Sequence, residues 1–245
     1  MRAGVPVGAA AAFLGALLLA PLQTAQSADL DVPALVAGCT DLHGGARLSA
    51  DGNVLCFDGP IMWDTPLAPF YALNRDGTLV VRSQGGLLFL AQQMADVLLE
   101  KNARVVIHDY CLSACAMALF VASHETHVAA GGIVAWHDRP EGMRSSQCLR
   151  ERKITVTDFY RRRGINGDFA VCPQTAYSRK MFHAMQSMAI DKSRIFWTWH
   201  PDNFRGYFKS KIVFLSFPDE QTVVARMRRS RARVIYDPPN LGESR

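Results

Sequence analysis

The chain has 245 residues, of which 49% are hydrophobic and 20% are charged, and its formal net charge is +5. This composition excludes an intrinsically disordered protein, because the apolar fraction is sufficient for a packed core and charged residues do not dominate. The length fits one domain, or one domain with extensions.

Residues 1–27 are predicted to be a signal peptide. Arg2 precedes an apolar run from Val7 to Ala20, and Ala25 and Ser27 place small residues before a cleavage site near Ser27. The run is shorter than the ~20 residues of a membrane-spanning helix, so cleavage is favoured over an uncleaved anchor. We therefore expect a periplasmic or secreted protein with no membrane span after signal removal.

Residues 28–75 are predicted to form short strands and turns, with one candidate strand at Val54–Phe57. The chain contains six cysteines, an even number that fits an oxidising compartment. Sequence alone does not choose among the possible pairings, but local spacing favours Cys39–Cys56, Cys111–Cys115 and Cys148–Cys172. A metal site is the competing interpretation and is disfavoured, because no CxxC or HExxH pattern occurs.

Residues 76–200 alternate between predicted strands and predicted helices, which indicates an α/β fold with a parallel sheet. Leu87–Lys101 has the apolar stripe of a helix, and Ser113–Ser123 is apolar on nearly all sides, as in a buried helix. The predicted strands are Thr78–Ser83, Arg104–His108, Thr126–Val128 and Ile133–Trp136. Further helical patterns lie within Cys148–Arg163 and Pro173–Ile190.

Residues 201–245 are predicted to be a C-terminal extension with a basic tail, and residues 226–245 are expected to be loosely held. Ile212–Leu215 is a candidate strand, and arginines are frequent between Arg226 and Arg233. Such a patch could attract nucleic acid. No aromatic residues interleave with the arginines, so a solvated surface is favoured and no nucleic-acid partner is expected.

Three short motifs in the core have side chains suited to a hydrolytic site. The turn Ser83-Gln84-Gly85-Gly86 follows a predicted strand, and backbone N–H groups of glycines can face a ligand without side-chain interference. Ser113 opens a predicted helix, where it is either an N-cap or a nucleophile. His137 ends a predicted strand, where it is either a structural residue or a general base.

In their order and spacing these motifs resemble those of the ClpP/crotonase-like superfamily, and most closely its exported Clp-protease-like bacterial members. The corresponding segments are Ser83–Gly86, Ser113–Ala116 and Ala135–His137, within residues 76–140. The resemblance implies a spiral of ββα units with a helical C-terminal part, and self-association into a homo-oligomer. It also implies a serine hydrolase, a peptidase that acts on peptides or unfolded chains and needs no cofactor.

The resemblance further implies a role for each site residue. Ser113 would be the nucleophile, His137 the general base, and Asp191 the third member of the triad, with Asp168 as second choice. The oxyanion hole would be formed by the backbone N–H groups of Gly85 or Gly86 and of Ala114. The chain departs from the family pattern at Gln84, where the family has proline, and in the cysteines on both sides of the serine.

Two other functions are also compatible with the sequence. One is a non-catalytic exported binding protein that retains the fold. The other is a thiol redox protein that uses Cys111 and Cys115, which is disfavoured because CxxxC is not the usual CxxC spacing. A Cys111–Cys115 bridge would require a tight non-helical turn at Ser113, since helical i,i+4 Cβ atoms are about 5–6 Å apart and a disulfide needs about 3.8 Å. Such a turn would hold the Ser113 hydroxyl in place.

Overall fold

The computed structural model describes residues 30–137, 155–163, 165, 194–203, 211–229 and 232–237. The strands in these residues are β1 (Gly45–Leu48), β2 (Val54–Asp58), β3 (Thr78–Ser83), β4 (Arg104–Leu112), β5 (Glu125–Val128), β6 (Ile133–His137), β7 (Ile195–Trp199), β8 (Lys211–Phe214) and β9 (Arg233–Asp237). The helices are α1 (Val32–Ala37), α2 (Ala68–Ala72), α3 (Leu88–Glu100), a π-helix (Cys115–Leu119), α4 (Thr155–Arg162), a short 3₁₀ helix (Pro201–Asn203) and α5 (Glu220–Arg229). The predicted signal peptide, the Cys148–Cys172 pair and the helical pattern at Pro173–Ile190 lie outside the described residues.

The nine described strands form one mixed sheet, which confirms the prediction of an α/β fold. Its centre is parallel: β2 pairs with β3, and β3 pairs with β4. The strand β4 then has two partners on its other side, both parallel to it. Its first half pairs with β5 around Val106, and its second half pairs with β6 around Cys111.

A backbone irregularity at Asp109 separates the two halves of β4. Asp109 has a φ of 65°, and the register between β3 and β4 shifts between Val81 and Ser83. The sequence predicted that this strand ends at His108, because a polar segment follows. The structure differs because the irregularity lets the strand continue to Leu112, where it pairs with β6.

The strand β8 matches the candidate strand at Ile212–Leu215, whereas the basic tail that was predicted to be loosely held instead adds the strand β9 to the sheet within its described residues. The strand β8 pairs in parallel with β5, and β9 pairs in parallel with β7, which is itself antiparallel to β6. Ile235 of β9 is buried. The Arg226 guanidinium on α5 binds the side chain of Asp109 and donates to its backbone oxygen over 3.1 Å. The arginine-rich segment therefore leads into the strand β9, whose residue Ile235 is buried in the sheet.

The core lies between the parallel strands and the helices α3 and π. The apolar stripe of α3 is buried along its length: Leu90, Ala91, Met94, Ala95, Val97 and Leu98. All five residues of the π-helix are buried, and this helix contacts α3. Burying a Leu or Met side chain stabilises the fold by about 1.5–3 kcal/mol, so this layer holds the end of β4 firmly. None of the helices within the described residues combines the length and the hydrophobicity that a bilayer-spanning segment needs.

Both predicted cysteine pairs that fall within the described residues form disulfides. Cys39–Cys56 joins the chain after α1 to the strand β2. Cys111–Cys115 joins the end of β4 to the first residue of the π-helix. Disulfides of this kind are typical of proteins from an oxidising compartment.

Candidate active site

Ser113 lies between the end of β4 and the start of the π-helix. Its φ of 54° lies in the left-handed region, which residues other than glycine adopt only rarely. Its N–H donates to the oxygen of Ala135, and its own carbonyl accepts from the N–H of Met117, both over 2.9 Å. The π-helix has no side-chain cap, so Ser113 is not the N-cap that its sequence position favoured.

His137 lies next to Ser113 because β6 pairs with the second half of β4. Leu112 is opposite Ala135, so the residue that follows β4 lies beside the last residues of β6. The Ser113 Oγ and the His137 Nε2 are 2.6 Å apart, which is hydrogen-bond distance. The imidazole also packs against the ring of Phe196 on β7, with the ring centroids 4.7 Å apart. Two of the three predicted motifs therefore meet through sheet pairing.

The Ser113–His137 contact is made by one of the two imidazole nitrogens, Nε2. For the Ser113 hydroxyl to donate, Nε2 must be unprotonated, and the proton of the neutral ring is then on Nδ1. A triad would place a carboxylate at that Nδ1–H. Asp191 and Asp168, the predicted third members, lie outside the described residues, so that assignment stays a prediction.

The two glycines of the predicted turn both have positive φ, 87° at Gly85 and 144° at Gly86. A Cβ on Gly85 would lie 2.5 Å from the Leu112 oxygen and 2.7 Å from both the Ser113 Cβ and the Ala114 nitrogen. The glycine turn therefore packs directly against the turn that carries Ser113. All three sequence motifs meet at this point of the fold.

The backbone N–H groups of the turn differ in their availability. The N–H of Gly85 donates to the Ser83 Oγ over 3.1 Å. The N–H groups of Gly86 and Ala114 form no hydrogen bond with any other residue that the structure describes. Both residues line the same cleft as Ser113 and His137. Of the two glycines, Gly86 is thus the one whose N–H has no partner in the described part of the chain.

The cleft at Ser113 is apolar on most of its walls and has a volume of about 580 Å³. That volume lies within the usual range for small-ligand sites, roughly 300–1,000 Å³. Its apolar wall residues are Pro60, Met62, Leu87, Leu88, Phe89, Met117 and Phe196. At the rim the exposed ring of Trp63 packs against Phe89, with the ring centroids 4.9 Å apart.

A second cleft, of about 460 Å³, shares Gln84 and Phe196 with the first. Unlike the first, it carries charged side chains on its walls, among them Asp109 and Arg226, which form an ion pair. Burial raises the pKa of Tyr110, which also lines this second cleft. Ser113 and His137 line the apolar cleft rather than the charged one.

An ion pair holds the strand ends that precede the glycine turn. Arg82 donates to both carboxylate oxygens of Asp58, over 2.8 and 3.0 Å, and so ties the end of β3 to the end of β2. These hydrogen bonds lower the pKa of Asp58. The neighbouring Gly44 N–H donates to the same carboxylate over 3.1 Å. Burial, helped by the Arg82 charge, lowers the pKa of His108 in the same region.

The described residues contain no group of three or more His, Cys, Asp or Glu side chains arranged to hold a metal ion. The sequence matches no protein-family model and no curated protein.

Two residues of the site, Phe196 and Ile61, were not predicted from the sequence, and Ser83 was named only as the first residue of the glycine turn. Phe196 packs on the imidazole but lies far along the chain, in a strand with no local signal of function. Ile61 forms backbone hydrogen bonds with both neighbours of Gly86: its N–H donates to the Gly85 oxygen over 2.9 Å, and its own oxygen accepts from the N–H of Leu87 over 2.8 Å. Ser83 accepts from Gly85. Only Ser83 had a visible signal, because a serine two residues before a glycine is typical of a side-chain-stabilised turn.

Proposed function

We propose that this chain is an exported serine hydrolase, a peptidase that acts on peptides or unfolded chains. The observation that carries the proposal is the 2.6 Å contact between the Ser113 Oγ and the His137 Nε2, at the wall of a cleft. A nucleophile and a base within hydrogen-bond distance are the minimum requirement for covalent catalysis by serine. The choice of a peptide substrate, the ClpP/crotonase-like spiral and the homo-oligomer rest on the resemblance of the three motifs.

In the proposed mechanism the Ser113 oxygen attacks the substrate carbonyl carbon while His137 accepts the hydroxyl proton at Nε2. The negative charge that develops on the carbonyl oxygen is stabilised by the N–H groups of Gly86 and Ala114. Ala114 is the residue after the nucleophile, and that N–H is a common oxyanion donor in serine hydrolases. His137 then donates its proton to the leaving amine, and a water molecule hydrolyses the acyl-enzyme by the same steps in reverse.

Two features support the export part of the proposal and oppose a redox function. The disulfides Cys39–Cys56 and Cys111–Cys115 fit an oxidising compartment. Cys111 and Cys115 are both fully buried, so a substrate thiolate has no access to either sulfur in the folded protein. Thiol–disulfide exchange requires that access, which makes a redox role a poor fit.

A fluorophosphonate probe tests the proposal, because it forms a covalent adduct only with an activated serine. We expect wild-type protein with both disulfides formed to be labelled on Ser113, with the adduct located by peptide mass spectrometry. Ser113→Ala abolishes labelling, whereas Ser49→Ala, a serine on a turn of the N-terminal segment, leaves the labelling rate unchanged. Cleavage of an unfolded protein such as reduced casein then tests the substrate class.

Absence of labelling in the folded, oxidised protein would refute the hydrolase and favour a non-catalytic binding protein that uses the same cleft. Labelling without cleavage of any unfolded protein or peptide would retain the hydrolase and refute the peptidase.

A further inference from the structure

The Cys111–Cys115 disulfide spans the proposed nucleophile, with Ser113 at the centre of the five-residue segment that it closes. Its two Cα atoms are 5.2 Å apart. Four extended residues would span about 13 Å, so the chain must turn within the segment. The turn lies at Ser113, whose φ is 54°, and Ala114 that follows has ordinary helical angles.

The left-handed conformation of Ser113 needs to be held by its surroundings. Residues with a Cβ occupy this region unfavourably and persist there only when neighbouring structure leaves no alternative, which is most common at functional sites. The backbone hydrogen bonds of Ser113 to Ala135 and Met117 hold its two ends. Gly85 closes the outer side of the turn, since no Cβ would fit there.

The disulfide closes the inner side of the same turn. Cys111 and Cys115 are both fully buried in the main hydrophobic core. Cys111 is paired with Val134 of β6, the strand that ends at His137, and Cys115 starts the π-helix. The bridge therefore ties the helix that follows the nucleophile to the strand pair that carries the base.

The helix that starts at Cys115 is a π-helix and not a regular α-helix. The carbonyl oxygen of Cys115 accepts from the N–H of Phe120, five residues later, over 3.0 Å. π-helical turns are rare and are most frequent at functional sites. In a regular α-helix starting after β4, Ser113 would take helical angles and its Oγ would point in another direction. The bridge disfavours that alternative, because i,i+4 Cβ atoms of a regular helix are too far apart for a disulfide.

We propose that the Cys111–Cys115 disulfide is a positioning device, which holds Ser113 in the left-handed conformation that sets its Oγ against the His137 Nε2. The proposal rests on the proposed hydrolase function for its activity readout. In this role both cysteines act through Ser113 and do not touch the substrate. The second disulfide, Cys39–Cys56, is the internal comparison, since it joins the chain after α1 to β2 and encloses neither Ser113 nor His137.

The test compares two double variants, Cys111→Ala/Cys115→Ala and Cys39→Ala/Cys56→Ala. The Cys39–Cys56 bridge closes the longer loop, with a sequence separation of 17 against 4, and so its loss is expected to lower the unfolding midpoint more. The fluorophosphonate labelling rate should show the opposite order. Loss of Cys111–Cys115 is expected to slow labelling roughly tenfold to a hundredfold, because displacements near 1 Å at a reacting group have effects of that size. Loss of Cys39–Cys56 leaves the rate unchanged.

The pH profile of labelling separates positioning from general stability. In the wild type the rate should fall in acid as the base His137 becomes protonated. In Cys111→Ala/Cys115→Ala that inflection should flatten, because the hydroxyl no longer contacts the imidazole. If this variant does not fold, Cys39→Ala/Cys56→Ala refolded in reductant replaces it, because that protein keeps Cys111–Cys115 and lacks the Cys39–Cys56 bridge. The reduced protein retains both side-chain volumes, and reoxidation should restore the wild-type rate and profile.

An unchanged rate and pH profile after loss of Cys111–Cys115 would overturn the proposal and leave the bridge with a stabilising role alone. If wild type is not labelled at all, the proposed function fails separately. In that case the positioning proposal is tested by the distance between the Ser113 Oγ and the His137 Nε2 in a crystal structure of Cys111→Ala/Cys115→Ala. A distance still near that of the wild type overturns the proposal, and a separated pair supports it.

Discussion

Replacing Gly85 with alanine should destabilise the protein and disturb the proposed active site together. Gly85 has a φ of 87°, and alanine in the left-handed region costs about 1–2 kcal/mol. The new Cβ would also lie 2.5 Å from the Leu112 oxygen and 2.7 Å from the Ser113 Cβ. Relieving such an overlap costs about 1–3 kcal/mol more. We therefore expect Gly85→Ala to lower the free energy of unfolding by about 2–5 kcal/mol.

Gly44→Ala is the matched control for this change. Gly44 has nearly the same φ, 91°, but a Cβ there would meet nothing within 4 Å. Its substitution should cost only the backbone part, about 1–2 kcal/mol. Urea unfolding followed by the fluorescence of the buried residues Trp136, Trp197 and Trp199 measures both variants. Equal losses of stability would refute the close packing of the glycine turn against the Ser113 turn, as would a wild-type labelling rate in Gly85→Ala.

Three further predictions concern the base, the strand ends and the irregular helix. His137→Ala should slow fluorophosphonate labelling by about 10²–10⁴-fold, the usual contribution of a general base, while urea unfolding shows that the variant still folds. Asp58→Asn should lower the free energy of unfolding by about 1–3 kcal/mol at pH 7, because it removes a carboxylate that accepts two hydrogen bonds from Arg82. Since the folded-state pKa of Asp58 is lowered, its contribution is present above the unfolded pKa of about 3.9 and is lost as the pH falls through the folded value. The difference between wild type and Asp58→Asn should therefore close below about pH 4 in urea titrations, and a constant difference would contradict the assignment. Tyr160→Phe should cost about 1 kcal/mol, because the buried Tyr160 hydroxyl donates to the Met117 oxygen of the π-helix over 2.6 Å; an unchanged midpoint would contradict it.

Elements with a strong local pattern were predicted well. The apolar stripe at Leu87–Lys101 became the helix Leu88–Glu100, because the spacing of apolar residues states directly which face of a helix is buried. Thr78–Ser83 was predicted with the bounds that the structure has. Both disulfides within the described residues followed from local cysteine spacing.

Elements whose form depends on distant partners were predicted less well. The strand β4 extends beyond His108 because its second half pairs with β6. The polar residues near Asp109 do not indicate that pairing. The composition of Arg233–Asp237 predicts part of a basic tail, whereas in the structure β7 provides a buried partner for this segment. The composition of a segment indicates how favourably it is exposed to water. Whether a neighbouring strand is available to pair with it depends on the whole fold.

The sequence by itself determined the candidate residues: a glycine pair, a serine between two cysteines and a histidine at a strand end. These are local properties, since positive φ favours glycine and cysteine spacing limits the turn between two sulfurs. The tertiary structure decided that Ser113 and His137 touch, because the two residues are joined only through the pairing of β4 with β6. The serine and the histidine are 24 positions apart, and the residue pattern along either strand does not indicate that the two strands pair.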